Sequence, residues 1–354
     1  MLTKQKTAVI CFFMTSKGGH GTAEVSLGLY KSIQGDKRLF EFKESKIKNG
    51  LYLNNIKKLF FLLRIIVKLK SYFHDNKKNI IFIEGASWIG FSFLFIILSK
   101  IFLNKVFIIY HAHNIEYEIR KKKNNFLIAF FSKIFEKFVY AKSDIATSVS
   151  KHDKKKIKEL YNLNSSIFMN GVHSSRLQIK KINQNIPKSF YLYSGSYLYH
   201  PNKVALDNLI KNIYPKLIKK YPDLYLIISG DGLPTSLIKN KKILYFRFLE
   251  KKNLNYLIQK AKFLLLPLKK APGTKLKVIE ALLIGTQIIT TKHGIKGIQI
   301  KDSNQPYVYK NHKNLFKYVD ILLKKKNHKL ISSSRFYKKM FLMENILKEF
   351  QSKY

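Results

Sequence analysis

The chain has 354 residues, a length that suits two domains better than one, and 46% hydrophobic residues supply two cores and exclude a disordered chain. Lys and Arg total 66 against 21 Asp and Glu, a net charge of +45 that is useful only toward an anionic partner: nucleic acid, anionic lipid or a phosphorylated small molecule. A coding bias toward Lys, Ile, Asn and Phe accounts for the same excess without any partner. Cys11 is the only cysteine, so an intrachain disulfide and a disulfide-built secreted fold are both excluded.

Residues 1–14 are basic and then apolar. The apolar part, 8–14, is short for a signal-peptide core and no small-residue cleavage site follows, so it reads as a buried first strand with Cys11 as an inert thiol. Strands are expected at 7–14, 38–42, 79–84, 105–110, 144–147 and 167–169, with helices at 23–32, 57–73, 88–103, 126–142 and 154–160 between them. Segment 88–103 is the best candidate for a membrane span. It is shorter than the roughly 20 residues a span needs, and Ser92, Ser99 and Lys100 interrupt it, so a buried helix is expected and the chain reads as cytoplasmic, free or peripheral. Segment 171–188 has weak periodicity and reads as an interdomain connection. The alternation then restarts, with strands at 190–193, 224–229, 243–246, 263–268, 287–290 and 307–309 and helices at 203–220, 254–260, 276–284 and 314–324. Strand–helix alternation of this kind implies parallel sheets covered by helices. The expected fold is α/β: two doubly wound, Rossmann-like domains facing a cleft, 1–178 and 188–332, with a closing helix in 333–354 that can pack back on the first domain.

The loop from Thr15 to Glu24 contains Gly18, Gly19 and Gly21, follows a strand and opens a helix. Glycines let backbone approach a ligand, and free N–H groups at a helix start favour an anion. The spacing is neither the dinucleotide fingerprint nor a Walker loop, and a tight turn without a ligand explains it equally. His111, His113 and Glu116 follow the fourth strand, at the sheet end where ligands bind. An imidazole there can hydrogen-bond a sugar hydroxyl or a developing charge. No cysteine or third spaced ligand accompanies the pair to suggest a metal, and a surface or capping role remains open. In the second half, Gly195 follows a strand and precedes His200-Pro201-Asn202, again as a phosphate-cradling loop or an ordinary connection. Gly230-Asp231-Gly232 reads as a bend. The strongest signal is Pro272 to Gly285: a glycine at a helix start, Lys275 and Lys277 in the first turn, then Glu280. Lysines disfavour a helix N-terminus, and a docked anion would offset that. A carboxylate at position 280 can accept from a ribose diol. A plain amphipathic helix is the alternative. Helices 57–73 and 121–142 pair apolar faces with cationic rims, which suits either an anionic membrane interface or core-facing helices with solvated lysines.

In this order and spacing the pieces resemble the family 4 retaining glycosyltransferases of GT-B fold, in particular the bacterial envelope-polysaccharide branch, over about residues 8–309. Gly18-Gly19 resembles the family's loop beneath the acceptor. His113-Asn114-Ile115-Glu116 is similar to its His-Asn-Val-Glu segment, whose His lies by the transferred sugar. Asn170-Gly171-Val172, Gly195, Pro201-Asn202, Gly273 to Lys277, Glu280-Ala281 with Gly285, Thr290-Thr291 and Gly294–Gly297 resemble the remaining blocks. Many members carry two Glu residues in the donor motif; here the first position is Pro272, as in a branch that keeps only the second. The family's usual Arg and Lys pair is not plain, and Arg247 stands where glycine is common.

The resemblance implies transfer, with retention of configuration, from a nucleotide-diphosphate sugar to a lipid-linked or polysaccharide acceptor of the cell envelope. His113 and Glu280 would be the catalytic pair. Gly19, Gly195, Lys275, Lys277, Glu280 and Arg247 would bind the donor, with Lys203 a further cation, and Gly18, His111 and Glu116 would lie on the acceptor side. No Asp-x-Asp motif is present, so no metal and no cofactor beyond the donor is expected. An anionic membrane surface is an expected partner. Nucleic acid is not, because no standard binding motif is found and the glycine loops would go unexplained. A nucleotide-sugar epimerase or an inactive homologue of the same fold is the remaining alternative.

Overall fold

The structure, a computed structural model, describes residues 5–15, 21–43, 50–73, 79–122, 126–269, 273–298, 306–324 and 331–354. The chain divides into two compact units, Met1–Asn170 with Ile346–Tyr354, and Gly171–Asn345. Segment 171–188, expected as a connection, therefore counts with the second unit. The last nine residues are separated from 333–345 and join the first.

The first unit contains β1 (Thr7–Cys11), α1 (Gly21–Ser32), β2 (Lys37–Glu41), α2 (Gly50–Tyr72), β3 (Asn79–Gly85), α3 (Ile89–Phe102), β4 (Val106–Ala112), α4 (Glu116–Lys121), α5 (Phe126–Lys142), β5 (Ile145–Ser148), α6 (Lys151–Tyr161) and β6 (Ser166–Ile167). The strands form one parallel sheet in the order β2-β1-β3-β4-β5-β6. Side chains alternate between the two faces of a strand. Ala8, Ile10, Ile81, Ile83, Ile108, Tyr110 and Ala146 join the core shared with Leu62, Ile65 and Leu69 of α2, Phe95 of α3 and Val139 of α5. The opposite parity carries Cys11, Glu84, His111 and Thr147, which are in register across β1, β3, β4 and β5. Cys11 is buried, and burial pushes its thiol pKa up, as expected of an inert thiol.

The second unit contains β7 (Phe190–Ser194), α7 (His200–Asn208), α8 (Tyr214–Lys220), β8 (Tyr225–Ser229), β9 (Ile243–Phe246), α9 (Lys251–Lys260), β10 (Phe263–Leu266), α10 (Leu276–Ile284), β11 (Ile288–Thr290), β12 (Tyr307–Val308), α11 (His312–Lys324) and α12 (Ile331–Phe341). Its sheet is parallel, in the order β12-β11-β10-β7-β8-β9. Connections from β7 run one way to β8 and later the other way to β10, so the switch point lies between β7 and β10. Ligands bind outside the carboxyl ends of strands at such a point. The closing helix, α13 (Met343–Gln351), follows α12 after a break.

Three local readings change. The helix expected over 203–220 is α7, a π-helical turn at Leu209–Ile213, and α8. Pro215 is the cause: it lacks an N–H, and its ring clashes with the preceding turn of an uninterrupted helix. The closing helix breaks because the backbone of Val172 intrudes, donating to Phe341 O at 2.8 Å and accepting from Met343 N at 3.1 Å. The third change is α4, which the sequence reading missed.

Candidate functional site

In the second unit, β7 ends at Ser194 and the chain turns at Gly195, whose φ of +150° favours glycine. A Cβ there would lie 2.5 Å from Lys277 Nζ and 2.8 Å from Asn202 Nδ2. Lys277, in the first turn of α10, donates to Ser194 O at 2.6 Å and Asn202 Oδ1 at 3.1 Å, with its Nζ 5.3 Å from the centre of the Tyr193 ring. Gly195 and Lys277, expected to serve one ligand, are thus brought together at the switch point. Asn202 joins them, its amide also donating to Ser196 O at 2.9 Å. The Gly230 turn, read as a bare bend, backs this loop: Gly195 N donates to Ser229 O at 2.8 Å, and a Cβ on Gly230 would strike Gly195 O.

Lys275 precedes α10 directly, and its ammonium donates to Gly273 O. Burial, and then the charge of Lys296, lowers its pKa to about 8. Burial lowers Lys277 to about 8 as well, Glu280 working against that shift and Lys275 with it. Two cations with weakened hold on their protons therefore flank a helix N-terminus that itself favours anions.

Glu280 is buried and accepts from Arg176 Nε at 2.7 Å and Lys251 Nζ at 2.5 Å. Burial works to raise its pKa, and the charges of Lys251 and Arg176 outweigh it, so the carboxyl lies below its ordinary range. Sequence reading missed both cations. Arg176 lies in the segment taken for a linker, and its backbone is pinned by Asn255 Nδ2 at 2.7 Å. Arg247 is exposed, stacks on Phe248 at 5.1 Å and follows β9, two strands from β7, so the described geometry does not bring it to Lys277. Lys203 lies 5.7 Å from the Tyr197 ring.

In the first unit, Glu84 at the end of β3 is completely buried and is the hub of a polar cluster. His111 Nδ1 is 3.0 Å from one carboxylate oxygen, and His113 Nε2 is 2.8 Å from the other, which also accepts from Ser26 of α1. Burial raises the Glu84 pKa, but interactions with His111 and then His113 overcome it and leave the group ionised. Burial lowers the His113 pKa, against the pull of Glu84. Glu84, His111 and His113 each offer a donor atom within 4.8 Å of one another and could hold a metal. Here both carboxylate oxygens are instead bonded to imidazole nitrogens.

Glu116 opens α4 and pairs with Arg120 at 2.6 Å. The start of α4 is held by Glu136 of α5, which accepts from Glu116 N at 2.7 Å, Tyr117 N at 3.1 Å and Tyr161 OH at 2.6 Å. Carboxyl oxygens accepting from otherwise free N–H groups explain why a short helix forms there. Burial still pushes the Glu136 pKa up to about 7. Gly18 and Gly19 lie outside the described residues.

Residues 189–325 match the family Glycosyl transferases group 1. No curated protein matches the chain. Among solved structures, Alr3699/HepE of Anabaena in complex with UDP-glucose is similar, at TM-score 0.66 and 11% identity, over 98% of this chain and 99% of that one. Sucrose-phosphate synthase of Thermosynechococcus elongatus gives TM-score 0.71 and 12% identity, over 99% and 98%. A UDP-N-acetylglucosamine 2-epimerase gives TM-score 0.50 and 14% identity, over 91% and 88%. The two Rossmann-like α/β domains and the match within the second define a glycosyltransferase of GT-B type.

Proposed function

We propose that this glycosyltransferase belongs to the family 4 retaining enzymes and moves a sugar from a nucleotide-diphosphate sugar to a lipid-linked or polysaccharide acceptor in bacterial envelope-glycan synthesis of O-antigen or capsule type. The observation that carries the reading is Lys277 beside Gly195 at the β7–β10 switch point, a cation on a helix start whose ammonium fits against residue 195 only because that residue has no side chain. Lys277 and Lys275 stabilise charge growing on the leaving diphosphate, the task a metal has in other transferases. Glu280 accepts from the ribose while Arg176 and Lys251 hold its carboxylate in place. His113 contacts the transferred sugar, and no metal takes part. Two of the similar structures named above, a protein in complex with UDP-glucose and a UDP-N-acetylglucosamine 2-epimerase, support a donor of that class. Ala at Glu280 or at Lys277 is expected to cut transfer sharply; wild-type rates in both variants reject the site. Because an epimerase is also similar, product analysis with donor alone separates transfer from epimerisation.

Peripheral attachment to the inner face of the cell membrane is part of the proposal. Helices α2, α3 and α5 carry one acidic residue, Glu136, and it is buried. The same helices expose Phe60 at 69%, Val67 at 70%, Ile101 at 64% and Phe126 at 81%, interleaved with Lys57, Arg64, Lys68, Lys100, Lys133 and Lys137. Large exposed apolar side chains among cations suit an anionic interface, where each Lys or Arg adds about 1 kcal/mol. Among the described residues no helix is long and apolar enough to cross a membrane. Sedimentation with vesicles of anionic phospholipid is expected, weakening as salt rises; equal sedimentation with neutral vesicles contradicts this part.

A further inference from the structure

We infer that Glu84 is a positioning residue that fixes the tautomers of His111 and His113, so that both rings present a bare nitrogen as an acceptor pair for a carbohydrate hydroxyl. The inference rests on the proposed transfer reaction only for the identity of that hydroxyl's owner. Its basis is hydrogen-bond accounting. An ionised carboxylate has no proton to give, so each of its contacts must be supplied from the other side. His111 Nδ1 at 3.0 Å and His113 Nε2 at 2.8 Å are therefore N–H donors. In a neutral ring, the other nitrogen is then an acceptor. Those other nitrogens, His111 Nε2 and His113 Nδ1, are buried and have no partner among the described residues. The two rings lie side by side, their centres 4.5 Å apart.

Buried polar atoms are nearly always satisfied, and an orphan in a ligand-binding protein points to the group that satisfies it. A bare imidazole nitrogen can accept from a hydroxyl and cannot accept from a carboxylate or phosphate oxygen. Two such atoms select a neutral hydroxyl-bearing ligand over an anion. This separates the cluster from the second unit's lysine-bearing helix start, which selects the opposite. The scaffold supports the assignment. Glu84, one residue before the end of β3, is in register with His111 on β4, and Ser26 of α1 also bonds the Glu84 oxygen that contacts His113. The carboxylate cannot rotate away without losing partners on β4, on the loop that follows it and on α1. It transfers no proton and touches no substrate; it acts through the imidazoles.

The test is nitrogen and carbon NMR of ring-labelled histidine in the full chain. His113 is expected as the Nε2–H tautomer and His111 as the Nδ1–H tautomer, independently of any enzyme activity. Glu84→Gln offers one acceptor and one donor in place of two acceptors, so one ring must switch tautomer, and transfer falls on the order of 10- to 100-fold. Glu84→Asp, which keeps two acceptors, recovers the wild-type tautomers. A wild-type His113 protonated on Nδ1 overturns the inference whatever the variants do. So does a folded Glu84→Gln protein with unchanged ring signals. Loss of all transfer in wild type, with the expected tautomers present, sinks the proposed reaction and leaves the positioning role standing.

Discussion

Replacing Lys277 by methionine separates the energetic cost of the buried ammonium from its use. Its pKa falls from 10.5 to about 8 on folding, chiefly by burial. At about 1.4 kcal/mol per pKa unit, the charged form costs roughly 3 kcal/mol, an upper bound because the residue keeps some solvent exposure. Against this, Met loses the bonds to Ser194 O and Asn202 Oδ1. Asn202 keeps Tyr193 OH as a donor at 3.3 Å, so the carbonyl of Ser194 is the main orphan, a loss of about 1–3 kcal/mol. Lys277→Met at pH 7 should therefore be as stable as wild type or more stable by up to about 2 kcal/mol, while losing its response to nucleotide diphosphate. The pH dependence has a fixed sign. Between about pH 8 and 10.5 the unfolded chain holds the Lys277 proton and the folded chain does not, so wild-type stability rises through that window and the gap to the variant closes. Chemical denaturation at several pH values, with UDP, ADP and GDP added in turn, measures both. A variant clearly less stable than wild type at pH 7, and still stabilised by the same nucleotide, refutes the reasoning.

Gly195→Ala should impair the same site by a different route: backbone strain at φ +150° of about 1–3 kcal/mol, and a Cβ that displaces the end of Lys277. Thermal unfolding should fall by several degrees and nucleotide affinity at least tenfold; a normal affinity shows that Lys277 does not hold the anion. Glu136→Gln tests the cap on α4. The Glu136 pKa is raised from 4.5 to about 7 in the folded chain, so the stability it contributes is fully present below pH 4.5 and is lost as pH rises through 7. Denaturation of wild type should show that decline, and the variant, with no proton to lose, should lack it. Arg176→Met should weaken donor binding without removing the fold, because Lys251 still faces Glu280; nucleotide titration reads this directly.

The sheets were legible because most central strands are short apolar runs bounded by turn residues or charged helices, as in Phe190–Ser194 before Gly195. Helix ends were less so. Pro215 was visible in the sequence and was passed over, whereas the break at Leu342 comes from Val172, a residue 170 positions away, and leaves no local mark. The same distinction runs through the site. Gly195 and Lys277 could be named because a glycine after a strand and lysines at a helix start each carry a local physical oddity. Glu84 reads as the last residue of a buried strand, and its meaning appears only when β3 and β4 lie in register. Arg176 sits in a stretch without periodicity, where nothing local marks it as the partner of Glu280, 104 positions on.

Incubating the purified chain with nucleotide sugars and a polyprenyl-diphosphate-linked acceptor, then determining the anomeric configuration of the product by NMR, tests the account most directly. It predicts a new glycosidic bond with the donor's configuration kept and a free nucleoside diphosphate released. An inverted product, a donor epimerised without transfer, or no consumption of any nucleotide sugar contradicts it.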